Sequence, residues 1–143
     1  MRENIRDLIK RQRKYYKSIA SVNCPILQDT VYFTSEGFNH LLYANRKPRK
    51  LSERYMKLIC LNSAKKVIKK CKVISETREV QRKIKGKLKT TIHHELVHEI
   101  KKSVKIRVIV EKIGSGKLKF LSVMPHNNRS KPKKRPKRRS SAC

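Results

Sequence analysis

The sequence contains few acidic residues, no long apolar run and no closely spaced cysteines. Because no run reaches the roughly 18 apolar residues of a membrane-spanning helix, we expect none, and the polar amino terminus lacks the apolar centre of a secretory signal. The cysteines, Cys24, Cys60, Cys71 and Cys143, include no C-x-x-C pair. This spacing indicates neither a zinc ribbon nor a disulfide framework. We therefore predict a cytoplasmic protein with reduced, mostly buried thiols.

Positive charge dominates the composition. The 143 residues include 39 Lys and Arg but only 10 Asp and Glu, which gives a formal net charge of +29. Eight of the basic residues lie between Arg129 and Arg139, and the rest of the chain still carries +21 without them. Because a compact chain with this charge repels itself, a polyanion that neutralises it is the expected partner. The composition predicts binding to nucleic acid, with RNA preferred.

Apolar periodicity predicts helices first and an antiparallel sheet second, which is an α+β fold. A helical spacing indicates a short helix carrying Phe38 and Leu41, and later two helices separated at Asn62. Residues 103–113 alternate between β-branched and charged positions, as a strand does. The Gly114-Ser115-Gly116 turn that follows predicts a hairpin with a returning strand.

We divide the chain into three parts. Residues 1–22 form a basic amino-terminal helix, residues 23–124 form the folded domain, and residues 125–143 form a tail. The tail is rich in Pro, Lys and Arg, so it has too little apolar surface for a core and is expected to be disordered.

Residues 94–98, His-Glu-Leu-Val-His, match the H-E-x-x-H pattern of zinc peptidases. On a helix, His94 and His98 would bind zinc and Glu95 would act as the general base. The neighbouring β-branched residues favour a strand instead, where imidazoles four residues apart are separated by about 13 Å and cannot share one ion. A third ligand is also undetermined. A zinc peptidase is therefore an alternative hypothesis, and the preferred interpretation needs no cofactor.

RNA cleavage without metal needs groups that move protons and groups that bind phosphate. Histidine suits proton transfer near neutral pH, Arg or Lys stabilises the phosphate charge, and a hydroxyl can hold a phosphate oxygen. The catalytic candidates are His40, His94, His98, Arg107 and Ser122. The candidates for nucleic-acid binding are Arg46, Lys47, Arg49, Lys50, Arg54, Lys133, Lys134 and Arg135. Each also has a plain structural interpretation, such as a capping histidine or a solvated strand position.

Two segments resemble a known group of enzymes. Residues 31–42 (VYFTSEGFNHLL) resemble the strand-then-helix opening of phage-associated ribonucleases of the barnase–EndoU–colicin–RelE fold. Residues 104–110 (VKIRVIV) and 114–124 (GSGKLKFLSVM) resemble the terminal hairpin of the same group. The resemblance spans about residues 23–124. It implies amino-terminal helices packed on an antiparallel sheet of four or so strands, with a metal-independent RNA-cleaving site on the sheet.

The resemblance also implies roles for individual residues. His40 would be an acid or base, Arg107 a phosphate clamp and Ser122 a polar site residue, with His98 or His94 as the second proton carrier. The basic first helix and the long tail are not part of the group's core pattern. The hypothesis is thus a toxin-like or mobile-element-associated ribonuclease that acts on RNA, for which an acidic inhibitor protein is a physically natural partner. The alternative is a noncatalytic RNA-binding protein.

Overall fold

The computed structural model describes residues 4–44 and 46–126, which form three helices and two sheets. The helices are α1 (Ile5–Ile19), α2 (Ser35–Leu42) and α3 (Leu51–Lys70), with a single 3-10 turn at Pro25–Leu27. The strands are β1 (Ser21–Cys24), β2 (Asp29–Tyr32), β3 (Tyr43–Ala44), β4 (Lys47–Pro48), β5 (Ile74–Ile84), β6 (Lys87–Lys101), β7 (Val104–Ile113) and β8 (Leu118–Pro125). None of the helices in this part of the chain is long and apolar enough to cross a membrane.

The main sheet has six strands in the order β1-β2-β8-β7-β6-β5, while β3 and β4 form a separate small hairpin. Neighbouring strands are antiparallel except β2 and β8, which run parallel and pair only at Val31–Leu118 and Tyr32–Lys119. The rest of β8 therefore has no strand beyond it, and α2 and α3 both contact β8.

One face of the sheet packs against the helices and forms the core. Leu96, Val108 and Val123 are paired across β6, β7 and β8, and all three are fully buried. Phe120 lies on the same face, where its ring is stacked on Phe33 with 4.8 Å between the ring centroids. Each fully buried side chain of this size stabilises the fold by about 1.5–3 kcal/mol.

The first helix is part of this core. Asn4 caps it, because its side-chain oxygen accepts a hydrogen bond from the Arg6 amide at 2.7 Å. The buried Gln12 amide donates to the Leu58 carbonyl oxygen at 2.6 Å and to the Asn62 side-chain oxygen at 3.0 Å. Since the Asn62 side chain binds α1 and does not cap a helix end, α3 continues through it. The predicted break at Asn62 is therefore wrong.

The predicted α+β class is confirmed, and so is the hairpin of β7 and β8. Residues 94–98 lie in β6, as the β-branched neighbours indicated. The predicted order of elements, helices first and sheet second, differs from the observed order. The strands β1 and β2 lie between α1 and α2 in the chain and belong to the six-stranded sheet. Residues 127–143, which include most of the predicted tail, lie outside the described residues.

Gly37 is a position where the packing leaves no room for a side chain. A Cβ atom there would lie 2.5 Å from both the Phe120 carbonyl oxygen and the Tyr16 hydroxyl. We expect Gly37→Ala to lower the free energy of unfolding by about 1–3 kcal/mol, because α2 would have to move away from β8. Urea denaturation tests this, with Asn39→Ala on the exposed side of α2 as the control. Equal stability of the two variants would contradict the prediction.

Candidate functional site

The candidate site is the face of the sheet opposite the core, and we call it the site face. Strand pairing arranges nine residues of β6, β7 and β8 there in three rows. The rows are His93–Glu111–Lys119, Glu95–Ile109–Ser122 and Val97–Arg107–Met124. Because side chains two apart on a strand share a face, each row lies beside the next. Six of the eight side chains around the central Ile109 are therefore charged or polar, the exceptions being Val97 and Met124.

A β-bulge in β8 produces this arrangement. Ile109 pairs with Ser122 but Val110 pairs with Phe120, so Leu121 is the extra residue. Phe120 and Val123 are three residues apart and would point to opposite faces of a regular strand. With the bulge, both lie in the core and Ser122 belongs to the site face.

Glu95 links two arginines on the site face. Its carboxylate is almost fully buried, with Arg107 Nη1 at 3.4 Å from Oε1 and Arg78 Nη2 at 3.3 Å from Oε2. Arg107 also donates to the Met124 sulfur at 3.2 Å. Its Nε is buried and has no hydrogen-bond partner among the described residues. Arg107 therefore keeps donor capacity beyond its ion pair.

Glu111 holds a histidine and a third arginine. Its Oε2 accepts hydrogen bonds from Arg82 Nη1 at 2.7 Å and from His93 Nε2 at 2.9 Å. A carboxylate oxygen only accepts, so the proton of this bond belongs to His93 Nε2, which fixes the orientation of the ring. Glu95 and Glu111 are diagonal neighbours across β6 and β7, a relation in which the Cα atoms lie about 7–8 Å apart.

Lys57 reaches the sheet from α3. Its ammonium group is buried, donating to the Ser122 hydroxyl at 3.0 Å and lying 3.5 Å from the Val123 carbonyl oxygen. Burial lowers the pKa of Lys57, and the positive charges of Arg49 and Arg107 lower it further, while Glu53 opposes them. The lysine, Arg107 and Ser122 thus concentrate positive charge and hydrogen-bond donors at one end of the site face.

His40 lies at the other end of the site face, on the last turn of α2. Its half-buried ring has a pKa lowered by burial, with the charges of Glu36 and Glu111 raising it and those of Arg49 and Arg82 lowering it. His40, Glu36, Asn39, Tyr43 and Arg46 line an open hollow at this end. Glu36 lines the same hollow as His40, and its Oε1 lies 3.8 Å from Nζ of Lys119 in the row of His93 and Glu111, so His40 borders the site face.

The structure brings three of the five catalytic candidates to the same region. Arg107 and Ser122 lie on the site face, and His40 borders it. His94 and His98 pair with Val110 and Ile106, so they belong to the opposite face of the sheet. The predicted pairing of His94 or His98 with His40 does not fit this strand register. The histidine of β6 that lies on the site face is His93.

The predicted RNA-binding residues of the basic loop divide into two groups. Arg46, Lys47 and Lys50 are exposed. Arg49 instead donates to the His40 carbonyl oxygen at 2.8 Å and pairs with Glu53 at 3.1 Å, which connects α2 to α3. Arg54 donates to the Arg49 carbonyl oxygen at 2.9 Å. Lys133, Lys134 and Arg135 lie outside the described residues.

Four residues of the site were missed as candidates for it: Lys57, His93, Glu95 and Glu111. A signal for Lys57 was present, because it occupies the helical stripe of buried Leu61, Ala64 and Ile68 at steps of three and four. A lysine in an apolar stripe must find a partner or a function. Glu95 was considered only as the general base of the zinc peptidase alternative. His93 and Glu111 carried no comparable signal, since only strand pairing shows which alternate positions meet.

The strand geometry of residues 94–98 differs from the helical geometry that the H-E-x-x-H zinc pattern requires. His94 and His98 are four residues apart in β6, so their side chains are separated by about 13 Å and cannot share an ion. In the part of the chain that the structure describes, no group of three or more His, Cys, Asp or Glu side chains is placed to hold a metal.

Comparison of the chain with protein-family models, with curated proteins and with solved structures gives no match.

Proposed function

We propose that this chain is a metal-independent endoribonuclease, in which the 2′-oxygen of RNA attacks the adjacent phosphorus. The observation that carries the proposal is the pairing of opposite charges on the site face. Glu95 with Arg107 and Glu111 with His93 flank Ile109, and the buried Lys57 reaches Ser122 beside them. Active sites are built from such clusters of ionisable groups, and here both carboxylates of the cluster are buried against their partners.

In this proposal Arg107 binds the scissile phosphate, and the buried Lys57 adds positive charge behind Ser122 without touching the RNA. The guanidinium group of Arg107 offers several donors in one plane, which suits two phosphate oxygens at once, while Lys57 supplies a compact charge. Both side chains are held in place, Arg107 by Glu95 and Lys57 by Ser122, so little reorganisation accompanies the build-up of charge on the phosphorane.

His40 and His93 carry the protons. His40 takes the proton of the 2′-hydroxyl, and its lowered pKa favours the neutral ring that a general base needs. The 2′-oxygen–phosphorus bond forms and the bond from phosphorus to the 5′-oxygen breaks. His93, oriented by Glu111, donates a proton to the leaving 5′-oxygen. The products are a 2′,3′-cyclic phosphate and a 5′-hydroxyl.

The resemblance to ribonucleases of the barnase–EndoU–colicin–RelE fold supports the same proposal. That group carries its RNA-cleaving site on an antiparallel sheet, and here Arg107 and Ser122, the two residues that the resemblance assigns to the sheet, share the site face. The six-stranded sheet exceeds the four or so strands implied, and the assignment of His93 departs from the resemblance.

The test is cleavage of a labelled RNA of mixed sequence by the purified full-length chain, with and without EDTA. We expect cleavage that persists in EDTA and leaves 2′,3′-cyclic phosphate ends. A matched RNA with 2′-O-methyl groups should stay intact, because it lacks the attacking hydroxyl. Tight binding of RNA without any cleavage would contradict the nuclease and favour a noncatalytic RNA-binding protein.

A further inference from the structure

A groove between α1 and α3 concentrates lysines away from the site face. It has a volume of about 330 Å³ and six lining residues. They are Tyr15, Asn62, Lys65, Lys66, Lys69 and Lys70. We call it the lysine groove. All four lysines are exposed, and no acidic residue lines the groove.

The lysines are placed where they repel one another. Lys65 and Lys69 are four residues apart on α3, as are Lys66 and Lys70, and like charges at this spacing destabilise a helix by about 0.2–0.5 kcal/mol a pair. The negative end of the helix dipole favours Lys69 and Lys70 in the last turn. It does not account for Lys65 and Lys66, which lie one turn earlier. A bound polyanion would relieve the repulsion of all four.

The two lining residues other than lysine also suit a nucleic-acid strand. Asn62 is fixed because its side-chain oxygen accepts a hydrogen bond from the buried Gln12, which leaves its amide nitrogen as a donor. Tyr15 is half-buried and offers an aromatic ring beside the lysines. A basic groove with an aromatic side chain matches the chemistry of single-stranded RNA, which presents phosphates and stackable bases.

The groove is separate from the site face. Lys66 follows Lys57 by nine residues, which is two and a half turns at 3.6 residues a turn, so the two side chains leave opposite sides of α3. The four groove lysines lie about 12–20 Å further along the helix than Lys57. An RNA bound in both places would have to pass around α3 and extend well beyond the scissile phosphate.

We propose that the lysine groove is a second binding surface for the phosphate backbone of the RNA cut at the site face. This inference rests on the proposed function, because it takes RNA as the ligand. It predicts that long single-stranded RNA is bound and cleaved better than a dinucleotide, and that the groove lysines account for the difference.

The test replaces Lys65, Lys66, Lys69 and Lys70 together with glutamine. The probe is a long, single-stranded, 2′-O-methylated RNA, whose binding is measured over a range of salt concentrations. Loss of four phosphate contacts should reduce the slope of log K against log salt by about 3, at about 0.7 for each contact to a single strand. The kcat/KM for a dinucleotide should not change. The matched control replaces Lys85, Lys87, Lys101 and Lys102 in two hairpin turns, which removes the same charge.

The outcomes separate the inference from the nuclease proposal. A smaller slope in the groove variant than in the control supports the groove even if no RNA is ever cut, in which case the proposed nuclease fails alone. Equal slopes in the two variants would contradict the inference that the lysine groove binds RNA. The inference is also contradicted if the groove variant keeps its affinity for RNA but loses binding to phosphatidylserine vesicles. Circular dichroism and urea denaturation of both variants check that the fold is retained, which glutamine, a good helix former, favours.

Discussion

Replacing Arg107 with glutamine is expected to lower kcat for RNA cleavage by about 10²–10³-fold, the usual effect of removing one group that stabilises transition-state charge. Glutamine keeps a hydrogen-bond donor for Glu95 but loses the charge and the planar fork of donors. The Arg107 side chain is 30% exposed and its ion pair with Glu95 is 3.4 Å long. Glu95 keeps its second ion pair, with Arg78 at 3.3 Å, so its buried carboxylate is not left without a partner and the fold should persist.

Lys105→Gln is the matched control for Arg107, because Lys105 lies on the same strand and face and loses the same charge. Single-turnover cleavage of one RNA by both variants measures the difference. Arg107→Lys should recover only part of the activity, since lysine restores the charge without the fork. If Arg107→Gln and Lys105→Gln reduce cleavage equally, Arg107 contributes only to the general positive field, and the proposed phosphate clamp is wrong.

Replacing His40 with alanine is expected to lower kcat by about 10²–10⁴-fold, the contribution of a general base. The pH profile gives a sharper test. A general base must be neutral, so activity falls as the pH drops through the pKa of His40. Because burial lowers this pKa, the acidic limb of kcat/KM should lie below about 6.5, the value of an unperturbed histidine.

In His40→Ala this acidic limb should disappear, whereas a merely structural histidine would lower activity at every pH alike. His98→Ala tests the face assignment at the same time. His98 lies on the opposite face of β6 from His93. Its replacement should leave both kcat and the acidic limb unchanged. Loss of the limb in His98→Ala would show that the proton carriers have been assigned to the wrong face.

The local structure followed from the sequence where one periodicity was clear. Alternation in β7 and the glycine-containing turn after it predicted the hairpin, and the β-branched residues around His94 predicted a strand. The break at Asn62 was predicted wrongly, because the contact with Gln12 that turns its side chain toward α1 joins residues 50 apart in sequence. Long-range contacts of this kind override local signals.

The site was only partly predictable for the same reason. Arg107 and Ser122 were identified as chemical types, but their neighbours depend on the register of three strands and on the bulge at Leu121. Phe120 and Val123 show the difficulty, since a three-residue apolar spacing is typical of a helix and occurs here in a bulged strand. Lys57 meets Ser122 across 65 residues, a pairing that no local pattern indicates.

The parallel pairing of β2 with β8, which is only two residues long, affects when the six-stranded sheet can form during folding. It joins Val31 to Leu118, so a loop containing most of the described chain must close before the six strands form one sheet. Closing so long a loop has a high entropic cost that is recovered only when β8 is in place. Because Ser122 lies in β8, a chain still being synthesised has no hydroxyl for Lys57 and lacks one edge of the site face. If the proposed nuclease is correct, its activity during translation would therefore arise only after the last described strand has left the ribosome.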